Sequence, residues 1–267
     1  MDGRQAAAAT ESYLFANIVV GIDATPESLV GAAQAGVLRA PGGRLVLVAV
    51  AERYLAAQAG MAAPHAEDEL LAGTLADLER AKELVDADDA IVASGHLVDL
   101  LRRECARSGA GLVVVGVRPH GRLAARTFGG HETDALRNAS CSVLVARPGW
   151  GPSKPERILV GVDGSPQSLR AEAVARSLGK RLECDVLPII GLEDGVDPAV
   201  LRAERDDALL GTGPLADAVV GASTQGSLIV VGRTAEHDRR EDRTVERIVY
   251  AARCSVLVVQ HGPDAAA

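Results

Sequence analysis

Ile18-Val19-Val20-Gly21-Ile22-Asp23 occurs twice in this chain, returning 140 residues later as Ile158-Leu159-Val160-Gly161-Val162-Asp163. A short, mostly β-branched apolar run that ends in Gly-x-Asp, followed by turn residues and a helical pattern, reads as a buried parallel strand. It delivers an acid to the carboxyl edge of a sheet. Pro26, Ser28 and Leu29 return as Pro166, Ser168 and Leu169 at the same interval. A ligand is therefore expected near Asp23 or Asp163.

The repeat continues along the chain. Asp88–Gly95 matches Asp206–Gly213 at an offset of 118, Leu112–Gly116 matches Leu228–Gly232 at 116, and Cys141–Val145 matches Cys254–Val258 at 113. Four matched blocks in one order mean two copies of one module, the second shortened mainly between its second and third strands.

Composition agrees. With 267 residues and 48% hydrophobic content, the chain can bury two modest cores. No apolar run is long enough for a membrane span, and Met1 to Ser12 lacks the pattern of a secretory signal, so the expected compartment is the cytoplasm, with no membrane partner. A net charge of −8 and an aromatic content of 2% argue against nucleic acid as a partner. Cys105, Cys141, Cys184 and Cys254 have no metal-type spacing. Cys141 and Cys254 each open a buried strand, where cysteine acts as a small hydrophobe.

In the first copy, strand one (about 17–22) leads through Thr25-Pro26-Glu27, which reads as N-cap, first-turn proline and first-turn acid, into a helix to about Arg39. Strand two (about 44–50) precedes a long region whose early part, 58–64, is expected to be a mobile loop. Its later part has helical spacing at Leu70, Leu71, Leu75, Leu78, Ala81, Leu84 and Val85. Strand three (90–93), a helix (97–107), strand four (112–115), a loop (116–130), a helix (132–138) and strand five (142–146) follow. Alternation of this kind implies a parallel sheet with helices on both faces. A leader at 1–15, domains at 16–147 and 156–261, and a Pro/Gly-rich linker at 148–155 complete the expected organisation.

The strand ending in Val-Gly-x-Asp, the block leading to Val-Val-Val-Gly, the Gly-containing loop and the closing Cys-x-Val-Leu-Val resemble the universal stress protein family. The whole chain after the leader is similar to a tandem member. The resemblance implies α/β architecture: two doubly wound, Rossmann-like (adenine nucleotide alpha hydrolase-like) domains, each a five-stranded parallel sheet of order 3-2-1-4-5. It also implies an intramolecular pseudo-dimer built through the last strands, at Val143, Val145, Val256 and Val258.

Members of that family that bind ATP carry Gly-x2-Gly-x9-Gly followed by Ser or Thr after strand four. Glycines let backbone N–H groups approach phosphate oxygens, the helix N-terminus adds positive partial charge, and the hydroxyl donates once more. Strands one and four are neighbours in that order, so the acid meets the loop at the topological switch point. The first copy keeps Gly116 and Gly129, but has Pro119 for the second glycine and Gly130 for the hydroxyl residue. Its cradle lacks one N–H and one O–H, for which Arg118, His120, Arg122 and Arg126 offer direct phosphate contacts. The candidate nucleotide site of the first copy is therefore Asp23, Ala24, Gly116, Arg118, Gly129 and Gly130, with ATP or another adenine nucleotide as its ligand.

The second copy departs further. Asp163, Gly164, Ser165 and Gly232 remain, Ala235 replaces the second glycine, and Asp242 and Arg243 stand where Gly and Ser should. A carboxylate there repels a triphosphate, and the site is expected to be degenerate. Asp23 and Asp163 each have a second reading, as acids that accept from the backbone of the following turn. No histidine pair has metal-ligand spacing and no Gly-x-Ser-x-Gly elbow occurs, so neither metal nor catalysis is expected. The reading is a stress-response regulatory or binding protein, with an unknown protein partner and the first copy as sensing half. A slowly hydrolysing ATP-binding protein and a ligand-free interaction scaffold are the alternatives.

Overall fold

The structure, a computed structural model, describes residues 14–23, 25–51, 64–94, 96–117, 139, 141–192, 199, 205–234 and 239–261. Two compact units divide the chain, Met1–Ala139 and Ser140–Ala267.

The first unit contains β1 (Asn17–Ile22), α1 (Pro26–Leu38), β2 (Arg44–Ala51), α2 (Pro64–Val85), β3 (Asp89–Ser94), α3 (Leu97–Ser108) and β4 (Leu112–Gly116). Its strands run parallel in the order β3-β2-β1-β4. Ile18, Val19, Val20, Leu45, Leu47, Leu112 and Val114 are fully enclosed, as expected for central parallel strands covered on both faces. Two glycines set the helix positions. A Cβ at Gly21 would touch Leu97 and Leu101 of α3, whereas one at Gly116 would strike the backbone of Glu27 and Ser28 in α1. Register places Ile22 level with Gly116, so the two glycines face opposite ways and α1 and α3 cover opposite faces.

Helix α2 carries the expected helical spacing and buries part of it. Leu78, Ala81 and Val85 are buried, but Leu75 is 44% and Leu84 54% exposed. At 100° per residue those two leucines lie about a quarter turn to either side of the buried stripe. The expected leader is shorter than 1–15, because Phe15 is buried and its carbonyl accepts from the Ala40 amide at 3.2 Å, and Pro64, placed in the expected loop of 58–64, opens α2; residues 1–13, 58–63 and the expected helix of 132–138 lie outside the described residues.

The second unit contains β5 (Ser142–Ala146), β6 (Arg157–Gly161), α4 (Pro166–Leu182), β7 (Asp185–Leu192), β8 (Leu209–Thr212), α5 (Leu215–Ala222), β9 (Ser227–Thr234), α6 (Arg239–Ala251) and β10 (Ser255–His261). Order β8-β7-β6-β9-β10 is parallel, which is 3-2-1-4-5 counted within the copy. β5 adds to β10 antiparallel, and this pairing counts the closing strand of the first sequence copy with the second unit. The Pro/Gly-rich stretch after β5 is packed: Trp150 is buried, Gly149 lies against the Gln225 carbonyl, the Glu156 amide donates to Gly226 O at 2.9 Å, and Lys154 Nζ donates to Glu183 O at 2.6 Å. Its glycines serve turns, with φ +152° at Gly149 and +100° at Gly151.

Candidate functional site

Both copies fold the residues after strand one into the same network. Asp23 Oδ1 accepts from the Thr25 amide at 3.2 Å and the Thr25 hydroxyl at 2.5 Å, and Thr25 Oγ1 in turn caps α1 by accepting from the Ser28 amide at 3.3 Å. Ser28, buried, donates its hydroxyl to Thr25 O at 2.8 Å and accepts from the Asp23 amide at 3.4 Å. In the second copy Asp163 Oδ1 accepts from the Ser165 amide at 3.0 Å and hydroxyl at 2.6 Å. Ser168 donates to Ser165 O at 2.9 Å and accepts from the Asp163 amide at 3.3 Å. Gly164 sits between them with φ +80°, a conformation that suits glycine.

One carboxylate oxygen of each acid therefore organises its own turn, the second of the two roles open to it in the sequence. The organising partner on the helix side is Ser28 or Ser168. Sequence reasoning assigned it no role, although its recurrence at the 140-residue interval was the available signal. Electrostatics follow: partial burial, the largest effect, raises the Asp163 pKa, and the opposing hydrogen bonds from Ser165 and Ser168 outweigh it, leaving the carboxyl below its ordinary value.

Gly116 and Gly232 end their apolar runs where a phosphate loop should start, and packing requires both. A Cβ on Gly116 would lie 2.5 Å from Ser28 N and closer still to the Glu27 carbonyl. One on Gly232 would strike the Gln167 carbonyl, with Ser168 N at 3.0 Å. Each glycine lets the first turn of the capped helix sit directly on strand four. β1 and β4 are neighbours, so Asp23, the α1 N-terminus and Gly116 share one edge of the sheet. Ala24, Arg118, Gly129 and Gly130, the remaining residues of the first candidate site, lie outside the described residues, as does Pro119.

In the second copy regular structure extends past the glycine. β9 continues past Gly232 through Arg233 to Thr234, pairing Val259↔Gly232, Gln260↔Arg233 and His261↔Thr234 with β10. Backbone committed to a ladder is not a loop of free N–H donors. α6 then begins at Arg239, so strand and helix occupy the two ends of residues 233–242, and Asp242 and Arg243 lie within α6. Arg243 is exposed there. Ala235, at the position of the second glycine, lies outside the described residues.

The residues expected to join the copies also come together. β5 and β10 pair Val143↔Val258, Leu144↔Leu257 and Val145↔Val256, so exchanging repeat positions turns the first pair into the third, and Leu144 lies opposite its own counterpart Leu257. Two equivalent hydrogen bonds flank the ladder: the Arg147 amide to Ser255 Oγ at 3.0 Å and the Gln260 amide to Ser142 Oγ at 3.3 Å.

Residues 15–147 match the model of the universal stress protein family. The chain belongs to the universal stress protein family. A universal stress protein from Archaeoglobus fulgidus DSM 4304 superimposes with a TM-score of 0.68 at 16% identity, covering 93% of this chain and 97% of that one. A protein of unknown function from Pseudomonas aeruginosa PAO1 follows the same path with a TM-score of 0.61 at 17% identity, over 94% of each chain. The cytoplasmic domain of a prokaryotic cation chloride cotransporter also shares the fold, with a TM-score of 0.51, 13% identity, 91% of this chain and 94% of that one. At these identities the likeness concerns the fold, and a fold of this breadth fixes no activity. No described helix of this universal stress protein is long and apolar enough to cross a membrane, and the described residues contain no group of three or more His, Cys, Asp or Glu able to hold a metal.

Proposed function

We propose that this universal stress protein is a non-catalytic, ligand-responsive regulatory protein of the cytoplasm in which the first copy is the sensing half and the second is structural. One observation carries the assignment: β9 runs on past Gly232 as ladder, whereas β4 ends at Gly116. An adenine nucleotide is the proposed ligand of the first copy, with Asp23, the N-terminus of α1 and Gly116 at the described edge of its site and Ala24, Arg118, Gly129 and Gly130 supplied by the sequence. The self-matched β5–β10 seam supports the further reading that the two sequence copies act as an intramolecular pseudo-dimer, whose output is contact with a protein partner.

The test is a thermal-shift series on the full chain with ATP, ADP, AMP and cyclic AMP, with and without Mg²⁺, repeated on Gly129→Asp. A ligand that binds only the folded state raises its stability, by about 2.7 kcal/mol at a concentration 100 times Kd. A shift abolished by Gly129→Asp is the expected result, and a shift that survives it places the site elsewhere. No shift with any nucleotide would refute the sensing half and leave the scaffold reading. Steady phosphate release with ATP would overturn the non-catalytic assignment.

A further inference from the structure

Both copies have ion pairs at the start of the third strand, in the first Arg39 with Asp88 at 3.4 Å and Arg44 with Asp89 at 3.2 Å, but the apolar cover beside them differs. In the first, the 22-residue helix α2 packs on β2 and β3 and buries Leu78, Ala81 and Val85. Between β7 and β8 the second copy has only residues 193–208, too few for such a helix. β8 is four residues long at the end of its sheet, with Leu209 44% exposed.

A ring of four charges sits beside it. Glu172, on α4, is 8% exposed, and its Oε1 accepts from Arg205 Nη2 at 2.6 Å and Arg176 Nη2 at 2.7 Å. Arg205 Nε also donates to Asp207 Oδ1 at 3.2 Å, and Arg176 closes the ring on Asp207 Oδ2. Arg205 and Asp207 immediately precede β8, so the ring ties the start of that strand to α4. At the repeat position of Glu172 the first copy has Ala32, enclosed in its helical layer. A charged side chain thus stands where the first copy has a buried alanine, while β8 keeps the cover of α5, whose Ala218 lies against Gly211.

The replacement changes how the strand responds to its surroundings. A carboxylate as buried as Glu172 is stable only while its cations stay, because an uncompensated buried charge is costly. The other three side chains face water, with 26% exposure at Arg205, 50% at Arg176 and 41% at Asp207, so electrolyte reaches the ring. Apolar packing of the α2 kind has no such sensitivity.

We propose that Glu172, Arg176, Arg205 and Asp207 form an ionic-strength-sensitive latch on β8: raised salt opens the ring, β8 detaches, and β7 becomes the edge of the sheet. Detachment breaks the ladder Ile189↔Leu209 to Leu192↔Thr212 and the bond from the Gly213 amide to Leu192 O. Strands β6, β9 and β10 keep their pairings, so the opening is local.

Hydrogen exchange on the full chain, at about 0.05 M and about 1 M KCl, where the screening length falls from above 10 Å to about 3 Å, tests this. Amides of Leu209–Gly213 are read against those of β6 and β9. Severalfold faster β8 exchange at high salt with unchanged β6 and β9 is the expected result, together with Arg205→Gln exchanging fast at both salts. Equal β8 protection of the parent protein at the two salts, an undiminished salt response in Arg205→Gln, or acceleration of β6 in step with β8 would each overturn the latch. If Arg205→Gln does not fold, Asp207→Asn decides, since it removes only the solvent side of the ring: a reduced salt response supports the latch and a full one sinks it.

Discussion

Gly232→Ala separates a packing glycine from a ligand glycine. The added Cβ would lie well inside contact distance of the Gln167 carbonyl, and both clashing groups are backbone, so no rotamer change relieves it. Gly161→Ala is the internal control: its Cβ would meet side-chain atoms only, Val219 Cγ2 at 3.3 Å and Leu215 methyls at 3.5 and 3.6 Å, which can give by a few tenths of an ångström. Overpacking against immobile backbone costs about 3 kcal/mol or more, against less than about 1 kcal/mol where side chains yield. With a urea slope of about 1–3 kcal/mol/M, the Gly232→Ala midpoint falls by about 1–2 M and that of Gly161→Ala moves by a fraction of that. Trp150 is the chain's one tryptophan and is buried in the second unit, so its fluorescence follows that unit. Equal midpoints for the two variants would refute the packing role of Gly232, and with it the view that the glycine ending this run is there for the helix.

Three further outcomes follow from the second unit. Asp163→Asn removes a carboxyl whose folded pKa lies below its ordinary 3.8; that stabilisation is present above 3.8 and lost as the pH falls through the folded value, so the variant is less stable at neutral pH with a shallower acid transition in Trp150 fluorescence, and superimposable profiles would contradict this. Arg147, buried, donates to Val249 O at 2.6 Å near the end of α6 and to Cys254 O at 3.4 Å; Arg147→Ala costs about 2–4 kcal/mol through a cavity and unsatisfied carbonyls, and an unchanged urea midpoint would refute the contribution. Burial pushes the Cys254 thiol up to about 11 from 9.0, so the unfolded chain releases its proton first and stability drops by about 2–3 kcal/mol as pH rises from 9 to 11; Cys254→Ala flattens that decline in denaturation midpoints, and a parallel decline in both proteins would rule out the thiol as its source.

Sequence alone was enough wherever the signal is local or self-repeating. The apolar runs at Ile18–Ile22 and Ile158–Val160 are strands because β-branched residues enclosed on both faces favour extended backbone, and Thr25-Pro26 and Ser165-Pro166 start helices by capping and by a preset φ. The candidate site was legible only in outline. Asp23 and Asp163 were found from their position after the strand, but the 3.4 and 3.3 Å bonds to Ser28 and Ser168 show each acid embedded in a turn that serves the fold. Gly116 and Gly232 carry the same lesson: a glycine at a sheet edge looks alike in sequence whether a phosphate or a helix comes close.

Periodicity, caps and an internal repeat are properties of neighbouring residues, and from them the chain's two α/β modules and their element types follow. Tertiary structure decided which polar groups are already committed. Arg147 and Ser255 bond across a sequence separation of 108, Arg205 finds Glu172 across one of 33, and β9 runs beyond Gly232 because β10 lies alongside to pair with it. Hydrogen-bond and ion-pair partners are chosen by proximity in space, which no short-range pattern encodes. The sequence could thus place an acid and a glycine at one edge of a sheet. Only the packed chain shows that each also serves its own helix.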